Sequence, residues 1–381
     1  MQRARVKAFN KPLKKASNKG PAKRVAKAAS GSPPAPGKRL CALPSRTVRP
    51  LGADVMANPS RARAILVSRL KWANGTVLHY CFFTKGHFAV PKKQADAIRA
   101  AFATWKAVGI GLQFKEVSKL SEAEVRIGYS AKDGVSQSSV GRDVLKDKPN
   151  EPTTTYGWDL PTDTGGTALH EIGHVLGMEH EHQNPYAGIK WHDKAVYKNL
   201  RGDPNYWKRA DIFNNVLEKL SPQQVQGSKW DPKSIMEYDF EAGLIAEPKR
   251  YEATGLHPPG KLSAADKKWV RKWYPPIKAA PRALQASKPF VASVTAGKQI
   301  DFTIKPSASR KYAIKTKGAS DATLVLFEMI DGTPRFVAGD DDSGKQRSAA
   351  ITHKLFEGRH YIARLRMVHP GPTGKVSLTY S

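Results

Sequence analysis

A chain of 381 residues with 40% hydrophobic content is long enough for two ordinary domains and can build their cores. No run of eighteen apolar residues is present, which excludes a membrane-spanning helix. The formal charge of +30 invites a polyanion partner, but fourteen Lys or Arg precede the first acidic residue, Asp54, so nearly half the excess sits in the first 53 residues and nucleic acid is not expected as the main partner.

Residues 1–50 are dominated by Lys, Arg, Ala, Ser, Gly and Pro and bury too little to offset chain entropy, so they are expected to form a disordered basic leader. They hold no apolar stretch of the secretory-signal kind. Cys41 and Cys81 match no paired metal-ligand spacing and could pair with each other. Order is predicted from Trp72, where a turn at Asn74 and Gly75 precedes the alternating, aromatic-rich TVLHYCFF. Ala95, Ile98, Phe102 and Trp105 recur at helical spacing over 92–108. Strand-like pieces at 112–117 and 124–130 follow, and this strand–helix–strand opening suggests a twisted mixed sheet with a helix against it. A second helix is predicted in 167–181 with Leu169, Ile172, Val175 and Leu176 as its apolar face, ended by Gly177. A third starts at the N-cap Ser263, carries Trp269 and Trp273, and stops at Pro275. Residues 278–289 are expected to be a linker, and the alternating segments of 290–381 a small β-sandwich.

The chemistry lies in the second helix. His170 and His174, four residues apart, project from one face about one turn apart and can share a metal ion through imidazole nitrogens. Gly177 lets the backbone leave the helix sharply and bring His180 up as a third ligand, the usual number for a catalytic zinc. Glu171 is placed to take a proton from water activated by Zn2+ and return it to a leaving amine. The full pattern, His-Glu-x-x-His-x-x-Gly-x-x-His, arises by chance in a chain of this length with a probability on the order of 10⁻⁵. His182 and His192 lie off register and are expected to be surface or loop residues.

These residues resemble the metzincin metalloproteases, and the astacin-like branch in particular. Glu181 follows the third histidine, and SIMEY at 234–238 is similar to a Met-turn. KWANGTVLHY and LSAADKKWVRKWYP resemble the opening strand and closing helix of that family. The resemblance implies an α+β, two-lobed catalytic domain over 71–277, followed by the sandwich. It also implies a secreted zinc endopeptidase acting on proteins or peptides, with His170, His174 and His180 as ligands and Glu171 as general base. Met236 would form the hydrophobic base beneath the metal, and Tyr238 a displaceable extra ligand and oxyanion donor. Glu237 stands where the family usually has histidine, Met178 where it has Phe, and cysteines for its paired disulfides are missing. Residues 51–70 resemble a pro-segment, with Asp54 in LGADV a candidate zinc cap and the Cys41 thiolate its rival. Residues 290–381 resemble bacterial pre-peptidase C-terminal domains, whose acidic turn here, GDDDSG, reads equally as a calcium loop or a solvated hairpin. Two other readings are a catalytically inactive metzincin-fold binding protein, against which the intact Glu171 speaks, and a basic polyanion-binding protein, against which the confinement of charge to the leader speaks.

Overall fold

The computed structural model describes residues 39–43 and 70–381, apart from 165, 223–228, 278–280, 296, 342, 345–347 and 370–373. Most of the basic leader, and the pro-segment reading up to residue 69 with Asp54, therefore lie outside the described residues.

The first lobe is built on β1 (Val77–Phe82), which is buried along its whole length because it lies inside a sheet covered on both faces. It pairs in parallel with β2 (Gln113–Glu116) and β3 (Val125–Tyr129), and β3 pairs in parallel with β5 (Thr154–Tyr156). The short β4 (Gln137–Ser138) runs antiparallel to β5 at the sheet edge. Helix α1 (Lys92–Ala107) buries Ala95, Ile98, Phe102 and Trp105, the face its spacing predicts. Phe102 stacks on Tyr80 of β1 with ring centroids 4.4 Å apart. Full burial of an apolar side chain of this size contributes about 1.5–3 kcal/mol. Trp105 is completely buried, and its indole N–H donates to the Leu169 carbonyl at 3.0 Å. That contact seats helix α2 (Thr167–Val175), which carries the histidine motif, against α1.

The second lobe collects Ile189, Val196, Leu200, Ile212, Val216 and Phe240 into a separate core. Around it lie β6 (Lys190–Trp191), α3 (Asp193–Leu200) and β7 (Ile245–Glu247), with β6 and β7 paired antiparallel. Helix α4 (Ala264–Trp273) closes the domain and starts with a capping box between Ser263 and Asp266. Just beyond it, the Tyr274 hydroxyl donates to the Leu176 carbonyl at 2.7 Å, while the Trp72 indole donates to the Val175 carbonyl at 2.7 Å. Residues flanking both ends of the two-lobed domain thus satisfy carbonyls left open at the end of α2.

The C-terminal region is a two-sheet sandwich. One sheet orders β13 (Thr333–Asp340), β12 (Asp321–Ile330), β15 (Tyr361–His369), β10 (Gln299–Ile304) and β8 (Arg282–Ala283). The other orders β14 (Ala350–Leu355), β11 (Arg310–Lys317), β16 (Lys375–Tyr380) and β9 (Phe290–Ser293). The sandwich begins earlier than the sequence suggests: Arg282 and Ala283, inside the expected linker 278–289, pair with Phe302 and Thr303. A two-residue edge strand has no alternation to reveal it. In the acidic turn, Asp340 Oδ2 accepts from the Ser343 and Ala350 amides at 3.1 and 2.7 Å, as a hairpin loop requires. Arg364 of the sandwich pairs with Asp301 at 2.6 Å and also donates to the Asn74 carbonyl of the first lobe.

Candidate metal centre

Helix α2 starts where the Thr167 amide donates to Asp163 at 2.7 Å, and it ends in a Schellman turn. Met178 N–H reaches the Gly173 carbonyl at 3.0 Å, Gly177 N–H reaches the His174 carbonyl at 2.8 Å, and Gly177 sits at φ +90°. This left-handed residue, natural to glycine, turns the chain so that His180 comes back over the helix. One residue past that histidine, the Glu181 amide donates to the Met236 carbonyl at 2.9 Å.

The three histidines meet. His174 Nε2 lies 3.1 Å from His170 Nε2 and 3.1 Å from His180 Nε2. His170 Nδ1 donates to the Ile235 carbonyl and His174 Nδ1 to the Met178 carbonyl, each at 2.8 Å, which leaves their Nε2 lone pairs facing inward. Burial holds the His170 imidazole down at about 4, in its neutral form. Converging lone pairs repel unless a cation sits among them. Tetrahedral zinc, with Zn–N near 2.0–2.1 Å, sets its nitrogens about 3.3 Å apart, so the donor set fits that ion.

Glu171 is fully buried beside this cluster, and burial pushes its carboxyl up to about 8. A divalent charge nearby would favour the ionised form. Met236 packs below: a Cβ at Gly173 would come within 2.4 Å of its sulfur, so the glycine inside the motif is what lets methionine approach. Tyr238 is buried, its ring 4.3 Å from that of His180, and burial keeps its hydroxyl protonated by raising it well above the ordinary phenol range. That hydroxyl donates to the Cys41 carbonyl.

The sulfur of Cys41 completes the group. It lies 3.6 Å from His174 Nε2 and 3.5 Å from Glu171 Oε2, and its ligand atom and those of the three histidines all fall within 4.8 Å of one another. Leu40–Leu43, inside the leader expected to be disordered, thus pack against the site, because Leu40 and Cys41 bury apolar surface there while the Leu40 and Leu43 amides find side-chain acceptors. Both cysteines are free, so the pairing that their count allowed does not form.

His182 corrects a second expectation. It is 1% exposed, stacks on His180 with centroids 5.3 Å apart, and donates from Nε2 to the Asn215 carbonyl at 2.8 Å. Glu237, at the departure from the usual Met-turn, accepts from the Trp230 indole at 2.7 Å and from the Tyr238 amide at 3.0 Å. His192 is exposed and pairs with Glu252.

A histidine pair on a helix, a glycine turn, a third histidine and a methionine turn beneath them define a metzincin centre. Residues 67–248 match the model of the peptidase family Astacin, and the chain belongs to that family. It is 32% identical to myroilysin, covering 55% of this chain and 97% of that one, with a TM-score of 0.48. Over 123 residues it is 31% identical to bone morphogenetic protein 1 of Xenopus laevis, a match that takes in 29% of this chain and spans only 16% of that protein. The pre-peptidase C-terminal domain of a Bacillus anthracis collagenase matches 28% of the chain at 11% identity and a TM-score of 0.23.

Proposed function

We propose that the protein is a secreted zinc endopeptidase acting on polypeptides, with His170, His174 and His180 as ligands. The observation that carries this is the convergence of inward-facing Nε2 atoms, 3.1 Å apart, beside the buried carboxylate of Glu171. Zinc, when bound, supplies a Lewis acid that acidifies water and polarises the peptide carbonyl. Glu171 takes the water proton and returns it to the leaving nitrogen. Tyr238 donates a hydrogen bond to the oxygen on which negative charge develops, the role its hydroxyl already plays toward a carbonyl. Met236 packs beneath the ligands and fixes the floor on which they stand.

In the full chain, Cys41 supports a latent state. Its thiol, pushed up by burial and by Glu171, would deprotonate on coordination, and soft sulfur suits zinc well. On this reading Cys41, and not Asp54, is the cap. The general-base role is tested in the Cys41→Ala background: Glu171→Gln should keep one zinc per chain by metal analysis and lose several orders of magnitude in peptide hydrolysis, since the amide keeps the shape and cannot accept the proton. Hydrolysis near the parent rate would overturn the assignment.

A further inference from the structure

Residues 39–43 show more than a thiol beside a metal site. Leu40 N–H donates to Asn205 Oδ1 at 2.9 Å and Leu43 N–H donates to Asn215 Oδ1 at 2.7 Å. Between them, Ala42 N–H donates to the Ser136 carbonyl at 3.1 Å, and the Cys41 carbonyl accepts from Tyr238. Four main-chain groups in four successive residues are therefore matched by groups of the catalytic body. None of these bonds depends on the identity of the side chain carried by the bound strand.

Asn215 is built for this task. It is 4% exposed, its Nδ2 donates to the Asp211 carbonyl at 3.0 Å, which turns Oδ1 toward the strand, and its own carbonyl is held by His182. The buried His182 thus links the zinc-site tyrosine, against which it packs with centroids 4.5 Å apart, to the acceptor that grips the strand. Side-chain recognition falls to Leu40, which is 7% exposed and belongs to the apolar cluster of Ala187, Ile189, Val196 and Trp207.

The geometry points to Asn205 and Asn215 as the main-chain acceptors for the substrate strand and to the apolar recess filled by Leu40 as the pocket that selects it. The substrate is then an extended polypeptide with a large aliphatic residue adjoining the one whose carbonyl faces Tyr238. This rests on the peptidase reading and adds to it which polypeptides are cut. The leader is held because it occupies the path its competitor will use.

Two measurements on the full chain test this. In chelator, the rate at which iodoacetamide labels Cys41, read by peptide mass mapping, should rise tenfold or more in Leu40→Ala and in Asn205→Ala and stay near the parent value in Leu40→Met. With zinc restored, the Cys41→Ala chain should cut a peptide library several times more often beside Leu, Ile or Met than beside polar residues. Adding Asn205→Ala, which takes an acceptor from the leader and from the peptide alike, should shift KM several-fold with kcat within about twofold, a split that general loosening of the fold would not give. Cleavage without aliphatic enrichment, or labelling and KM insensitive to these changes, would overturn the inference and leave the peptidase standing. A zinc-loaded chain that cuts nothing would overturn the peptidase reading and this inference with it.

Discussion

On the proposed mechanism Tyr238 donates to the carbonyl oxygen while Glu171 handles the water proton, and the tyrosine can be isolated because the three proposed histidine ligands remain without it. Tyr238→Phe, in the Cys41→Ala chain, should retain about one zinc per chain and a similar KM while losing roughly 2–4 kcal/mol of transition-state stabilisation, seen in kcat. An unchanged kcat would show that the phenol takes no part, and loss of zinc would make the residue structural. At this scale the histidines and Glu171 were legible from spacing alone, since a helix puts positions four apart on one face whatever surrounds it. His182 was not, because its burial depends on Asn215, 33 positions away, offering a carbonyl to it.

Among the elements, the Met-turn owes its shape to α4. Asp266 Oδ1 accepts from the Ser234 hydroxyl at 2.7 Å, and Oδ2 accepts from the Ile235 amide at 2.8 Å and the Ser263 amide at 2.8 Å. The Ile235 carbonyl in turn orients His170. One carboxylate therefore caps the closing helix, ties down the turn and reaches the metal site through a single residue. Asp266→Ala leaves three donors without their acceptor and should destabilise the chain by roughly 3–5 kcal/mol in denaturant titration. Zinc affinity, measured by competition with a chelator, should fall about 10–100-fold, the usual effect of losing an outer partner of a ligand. Wild-type affinity in a destabilised Ala variant would confine Asp266 to helix capping. The sequence showed Ser263 as an N-cap because capping is local; that the same box clasps a turn about thirty residues upstream is a fact of packing.

For the whole molecule, the charge distribution makes a separable prediction. Residues 1–38 carry eleven Lys or Arg and no acid. Removing them while keeping Arg39–Leu43 should leave the thermal unfolding midpoint within a few degrees. It should also sharply weaken heparin or DNA binding and lower its salt dependence, by about 0.9 in slope for each duplex-DNA phosphate that is no longer neutralised. A truncated chain with full salt-sensitive binding would move the polyanion site onto the folded body. Truncation at residue 50 would confuse the result, since it also removes Cys41 and the hydrogen-bonded segment beside the histidines.

The sequence by itself determined the longer helices and strands and the meeting of the three histidines, because these depend on short-range rules. A 3.6-residue period sets His170 against His174, a glycine that accepts positive φ turns the chain toward His180, and alternation with turn residues marks the sandwich strands. Tertiary structure alone decided which group covers the site and what grips the covering strand. Cys41 meets Glu171 across 130 positions and Tyr238 across 197, and Leu43 meets Asn215 across 172. No local pattern encodes such meetings. They follow from how two lobes with separate apolar cores come together, and the segment Arg39–Leu43 settles where its amides and its leucine are satisfied together.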